Sequence, residues 1–133
     1  MTDSSGSTVG KLTGLSKSDV ENIYATAVDF LTTLDYAKAA TLFTVLAWID
    51  GGEVEYWVGL GIAQQALGMH AKAIKSLGKA CELVVANETL DDRPMRLMSA
   101  SLQVLGYEKF ASRASEVATI ASEMQAVPKA SEC

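Results

Sequence analysis

Ala27 and Gly61 stand 34 residues apart, as do Tyr36 and His70, Ala39 and Ala73, and Phe43 and Leu77. Each pair matches in size or role, and their agreement fixes a period. Around these positions the apolar residues recur at helical spacing, so the repeating unit is a pair of helices joined by a turn. Such a unit cannot bury its own apolar side, and it predicts neighbours stacked against it. The clearest unit lies around the run Tyr56 to Ile74, where one helix ends at a turn on Gly68 and a second begins. Gly61, Ala73 and Ala80 are small where two antiparallel helices must approach closely, and Trp57 and Leu60 supply bulk beside them.

The spacing Trp57-x-x-Leu60-Gly61 with Ala73 and Ala80 further on follows the tetratricopeptide pattern. A third unit follows at a longer interval: Gly68 to Gly106, Ala73 to Ala111 and Ala80 to Ala118 are all 38 residues. The extra residues fall in the polar stretch 87–92, and Pro94 suits the first turn of the next helix, where no amide donor is needed. Ser18 and Glu21 form a capping box ahead of the first periodic run, Asp35 caps the second helix, and Gly51-Gly52 ends it. The last helix runs through Ala111 to Met124, with Pro128 as its limit. Gly78, inside a helix at a cost near 1 kcal/mol, is explained by close packing against a neighbour. The expected fold is all-α: three tetratricopeptide-like hairpins forming a short right-handed solenoid with a concave groove. Its bounds are residues 18–126, in units 20–53, 54–87 and 92–125, between flexible tails at 1–17 and 127–133.

A chain of 133 residues allows one domain with a sizeable core. At 49% hydrophobic and 20% charged, it carries more apolar surface than a solitary monomer would leave exposed. No run approaches the roughly 18 apolar residues of a membrane span. No basic stretch followed by an apolar core marks a secretory signal, so a cytoplasmic location and no membrane insertion are expected. The net charge of −5, with scattered Lys and Arg, argues against nucleic acid. Two cysteines make no disulfide framework; Cys81 reads as a buried thiol and Cys133 as a terminal one open to oxidation between molecules.

Catalysis needs a nucleophile with a base, a metal cluster or a phosphate cradle. The single histidine, His70, takes the turn position usually held by Tyr in such repeats, and packing explains it. Gly59-x-Gly61 lies mid-helix with no preceding strand, so it is no nucleotide loop. Asp91-Asp92 reads as helix capping rather than as a metal pair. No enzyme activity, metal or cofactor is expected. A groove remains. Helical phase directs Tyr24, Val28 and Leu31 of the first unit toward it, then Val58, Ile62 and Gln65 of the second, and Arg96, Ala100 and Gln103 of the third. Aliphatic pockets mixed with Gln and Arg suit an extended peptide, although each apolar member also reads as ordinary core. Three anchors at about 1.5–3 kcal/mol each offset roughly 2–5 kcal/mol of ordering, which leaves roughly micromolar binding.

Over about residues 20 to 124 the chain resembles the class II chaperones of bacterial type III secretion systems, which escort hydrophobic translocators. The resemblance rests on Leu42-Phe43-x-x-Leu46 with Asp50, on Tyr56-Trp57-x-Gly59-Leu60-Gly61, on Gln65-Ala66-Leu67-Gly68, and on Arg93-Pro94 with Ala100, Leu102 and Gly106. It implies a cytoplasmic chaperone that holds the client's N-terminal segment, extended, in its groove and keeps the translocator soluble and secretion-competent. It also implies homodimerisation through the region before the first repeat, which is short here. Family members are commonly aromatic at the positions of Tyr24, Val28 and Leu31; this chain keeps only Tyr24, which points to a different pocket shape. The alternatives are a co-chaperone for a needle or rod subunit, gripping an amphipathic helix, and a generic repeat scaffold joining two folded proteins.

Overall fold

The computed structural model describes residues 14–126, which form six α-helices. They are α1 (Lys17–Thr32), α2 (Tyr36–Ile49), α3 (Val54–Ala66), α4 (His70–Ala86), α5 (Arg93–Val104) and α6 (Glu108–Ala126). The capping box before α1 is Ser16 with Asp19, two residues ahead of the expected Ser18 and Glu21. The Asp19 amide donates to Ser16 Oγ at 3.0 Å, and the Ser16 amide donates to the Asp19 carboxylate at 2.9 Å. Both Ser-x-x-acid pairs were available; the earlier one adds the Lys17–Ser18 residues to the helix. Asp35 caps α2 as expected, accepting from the Lys38 amide, and α2 ends at Ile49 before Gly51-Gly52.

The three hairpins turn in one way. At the end of α3, the Gly68 amide donates to Gln65 O and the Met69 amide to Gln64 O. The same pair of bonds recurs after α1, at Leu34 and Asp35, and after α5, at Gly106 and Tyr107. This is the Schellman closure, which needs a left-handed residue just past the helix. Gly68 (φ +77°) and Gly106 (φ +86°) supply it at no steric cost, but in the first hairpin Leu34 is forced to φ +64°.

Packing follows from the repeat. Phe43 and Leu77, one period apart, are each wholly buried and each lie over a glycine of α3. A Cβ on Gly59 would stand 2.5 Å from the Phe43 ring, and one on Gly61 would stand 2.6 Å from Leu77. Gly61 is therefore the close approach its spacing predicted, and Gly59 is a second one. Gly78 is not: a Cβ there would meet only Met98 Cε, at an ordinary 3.7 Å. Its helix does not need the missing methyl. The first hairpin and α3 share one core of Ala27, Ala39, Phe43, Leu46, Leu60 and Ala63. In the third unit the residue equivalent to Phe43 and Leu77 is Ser115, and Ser112, Glu116 and Thr119 around it are also exposed. A polar outer side is what ends a stack of repeats.

Each helix packs on the next in sequence, and α3 also touches α5 directly. The second helices of neighbouring units make no comparable contact among the described residues. The first helices thus form one side of the stack, where α3 touches α5 and Tyr24 of α1 meets Tyr56 of α3, and this side is called the inner face.

Candidate functional site

On the inner face Tyr24 of α1 meets Tyr56 of α3, with ring centroids 5.7 Å apart, and presents its edge to Phe43 at 6.1 Å. The two tyrosines are half-buried, so the cluster is packed on its core side and open on the other. Val28 and Leu31 follow Tyr24 on the same side of α1; Val28 is 36% exposed and Leu31 is half-buried. Ile62 of α3 is half-buried as well. All four of these apolar or aromatic side chains keep exposed surface.

Val58 departs from that reading. It is 3% exposed and belongs to the core. The reason is its place: α3 is the middle first helix, with the first hairpin on one flank and α5 on the other. A residue there acquires neighbours from both. Gln65 is also occupied, because its amide nitrogen donates to Leu97 O and, at 2.7 Å, to Ser101 Oγ of α5. It stitches two units together rather than standing free for a peptide backbone. Arg96 is exposed but tied to Asp92, with Nε donating to the carboxylate at 2.6 Å. Ala100 and Gln103 are exposed on α5.

Three residues at one repeat position were missed. Glu21, Glu55 and Arg93 follow the 34- and 38-residue offsets, one at the head of each first helix. The Arg93 guanidinium bridges units two and three, donating to Glu55 Oε1 at 3.1 Å and Oε2 at 2.5 Å while also holding Asp91. The offset itself was the available signal, a sign change at an aligned position. Hydrogen bonds to Asp91 and then to Glu55 raise the Arg93 pKa further, and the Arg93 bond holds the Asp91 carboxyl below its ordinary range. Burial, then the charges of Glu55 and Glu53, push the Tyr24 hydroxyl up; burial, then Glu53 and Asp50, do the same to Tyr56. Both tyrosines therefore stay protonated donors beside a carboxylate-rich rim.

His70 is more than packing. Its Nδ1 lies 2.9 Å from Ser101 Oγ, which is wholly buried and already accepts from Gln65. The contact extends the Gln65–Ser101 network to the start of α4, with the donor set by the ring tautomer. Cys81 is half-buried, not fully buried, with its thiol pushed up chiefly by burial. Asp92 is the N-cap of α5 but makes no side-chain cap bond; Asp91 before it accepts from the Arg93 amide at 3.0 Å. Among the described residues no His, Cys, Asp or Glu group could hold a metal, and no helix is long and apolar enough to cross a membrane. A shallow depression of about 370 Å³, lined by Phe30, Ala37, Lys38, Thr41 and Leu42, lies on the α1–α2 hairpin.

No protein-family profile matches the chain, and no curated protein does. Its fold has solved relatives. It superposes on the Yersinia enterocolitica type III secretion translocator chaperone SycD with TM-score 0.77 at 20% identity, covering 90% of this chain and 84% of that one. PcrH, solved with the chaperone binding region of PopD, matches at TM-score 0.78 and 22% identity over 84% of this chain and 80% of its own. A chain of the CopN–Scc3 complex matches at TM-score 0.76 and 21% identity, over 84% of this chain but only 64% of that one. What these likenesses establish is the fold: an all-helical, tetratricopeptide-like stack of the kind found in type III secretion chaperones.

Proposed function

We propose that this protein is a cytoplasmic type III secretion chaperone of the translocator class, which holds an extended segment of a hydrophobic client against the inner face of α1, α3 and α5. The observation that carries the reading is the half-open row of Tyr24, Val28, Leu31 and Ile62 on that face. Tyr24 and Leu31 border the core without being sealed in it, so they have apolar surface left for a partner. Two proteins of this fold support the choice of partner: PcrH was solved with the chaperone binding region of PopD, and SycD with a peptide of the translocator YopD. Binding requires alternate side chains in shallow pockets and main-chain partners between them. Here the half-open side chains on α1 and α3 are apolar or aromatic, and the free polar side chains, Gln103 foremost, lie on α5. The reading assigns no reaction, only capture. Pairing of two chains through the region before the first repeat concerns residues outside those described.

Co-expression tests it. With the open reading frames adjacent to its gene, one membrane-active product should change from insoluble to soluble and co-purify. Titration of that product's N-terminal peptides should then give micromolar binding without a rise in helical circular dichroism. Capture of a needle or rod subunit with a gain of helix would favour the co-chaperone reading instead. Solubilisation of no neighbour would sink the proposal.

A further inference from the structure

Acidic residues recur at the heads of the first helices, and the repeat shows which of them the fold uses. Asp19, Glu53 and Asp91 follow the 34- and 38-residue offsets, two residues ahead of Glu21, Glu55 and Arg93. Asp19 completes the capping box of α1 with Ser16. Glu55 and Asp91 are both held by Arg93. Glu53 stands at the N-cap of α3 yet makes no side-chain cap bond. Glu53 and Glu21 are exposed, and neither has a salt-bridge partner among the described residues. Of the aligned acids, these two have no task within the chain.

Both flank the tyrosine pair. Glu21 precedes Tyr24 by three residues and Glu53 precedes Tyr56 by three, the spacing of neighbours on one helix face. Besides burial, which acts most, Glu53 raises the hydroxyl pKa of both tyrosines and Glu21 that of Tyr56, so both carboxylates lie within reach of the pair. The two rings are 5.7 Å apart, tilted by 46° and half-buried. We infer that this end of the inner face takes a lysine or arginine side chain of the client segment, against the open side of Tyr24 and Tyr56 and between Glu21 and Glu53. Aromatic faces attract cations, and desolvation by a bound segment strengthens the attraction. A segment with no cation would instead cover two carboxylates without pairing them, at a cost in affinity. Arg93 cannot substitute, because Glu55 and Asp91 already occupy its guanidinium. The inference rests on the inner face holding an extended segment, and it states which residue that segment must carry beside its apolar anchors.

Random twelve-residue peptides displayed on phage and selected on the immobilised full chain test this without a known client. Selected sequences should be enriched severalfold in Lys or Arg close to aliphatic residues. The double variant Glu21→Gln, Glu53→Gln should lose the basic enrichment and keep the aliphatic one. Glu116→Gln with Glu123→Gln, an equal change of net charge on α6, should keep both. Basic enrichment that survives the first variant, or is lost in the second, would reflect the acidity of the whole chain and overturns the inference. So do selected peptides without basic residues, or a selection that yields no binder. Basic enrichment that behaves as expected, with no neighbouring gene product made soluble in co-expression, would uphold the cation site while sinking the translocator reading.

Discussion

The ring of Phe43 lies directly over Gly59, leaving less space than a methyl group needs: a Cβ on the glycine would stand 2.5 Å from the ring atoms. This contact joins the first hairpin to the second unit, and it sets the distance between α2 and α3. Gly59→Ala should therefore destabilise by about 1–3 kcal/mol, the usual consequence of overpacking. Gly78→Ala is its control, since the new methyl meets Met98 at ordinary distance and the helix gains up to about 1 kcal/mol of propensity. Urea unfolding of the two variants should move in opposite directions. Equal losses would mean that the Phe43 contact is not what makes Gly59 special.

Leu34 holds the left-handed turn that Gly68 and Gly106 hold in the other hairpins. Its side chain is largely exposed, so little packing is lost by removing it. Leu34→Gly should stabilise the chain by roughly 0.5–1 kcal/mol, the relief of the left-handed conformation less the entropy of a freer unfolded chain. A lower urea midpoint in the variant would show that the leucine packs more than its exposure suggests.

On the inner face, Ile62→Asp should weaken client binding more than tenfold while the far-ultraviolet spectrum stays helical. Tyr24→Ala should weaken it too, with some loss of stability because Phe43 and Tyr56 lose a ring contact worth about 0.5–1.5 kcal/mol. Val58→Asp should unfold the domain, because that side chain is buried. A folded Val58→Asp variant would return Val58 to the groove.

Ser101 joins α3 to α5 through Gln65 and to the start of α4 through His70. Ser101→Val should cost about 1–3 kcal/mol, because a wholly buried site loses its hydroxyl and the His70 nitrogen loses its partner. Ser101→Thr, which keeps the hydroxyl, should recover part of that. Thermal melts distinguish them, and equal effects would point to the added methyl rather than the network.

Asp91 has its carboxyl pKa lowered, chiefly by the hydrogen bond from Arg93. A carboxylate lowered on folding contributes stability that is fully present above its unfolded pKa and is lost as pH falls through the folded one. The window lies below about pH 4. Arg93→Gln should lower the melting temperature near neutrality by a small amount, as partly exposed pairs do. Below that window its melting temperature should converge on that of the parent chain. A gap that stays constant down to pH 2 would mean that Arg93 acts by packing.

The sequence by itself determined the number of units, their 34- and 38-residue spacing, the turn glycines and the cap on α2, because each depends on residues close along the chain. It also placed Gly61, since a small residue beside Trp57 and Leu60 has one use. The register of the α1 cap was left between two Ser-x-x-acid pairs of equal local merit. Only the tertiary structure decided which inward positions stay open. Val58, Ile62 and Gln65 have the same helical phase, yet one is buried, one is half-open and one is bonded to Ser101. Phase fixes the direction of a side chain, whereas its exposure depends on how near the neighbouring unit comes. That distance is set by contacts such as Phe43 on Gly59, made between helices of different units.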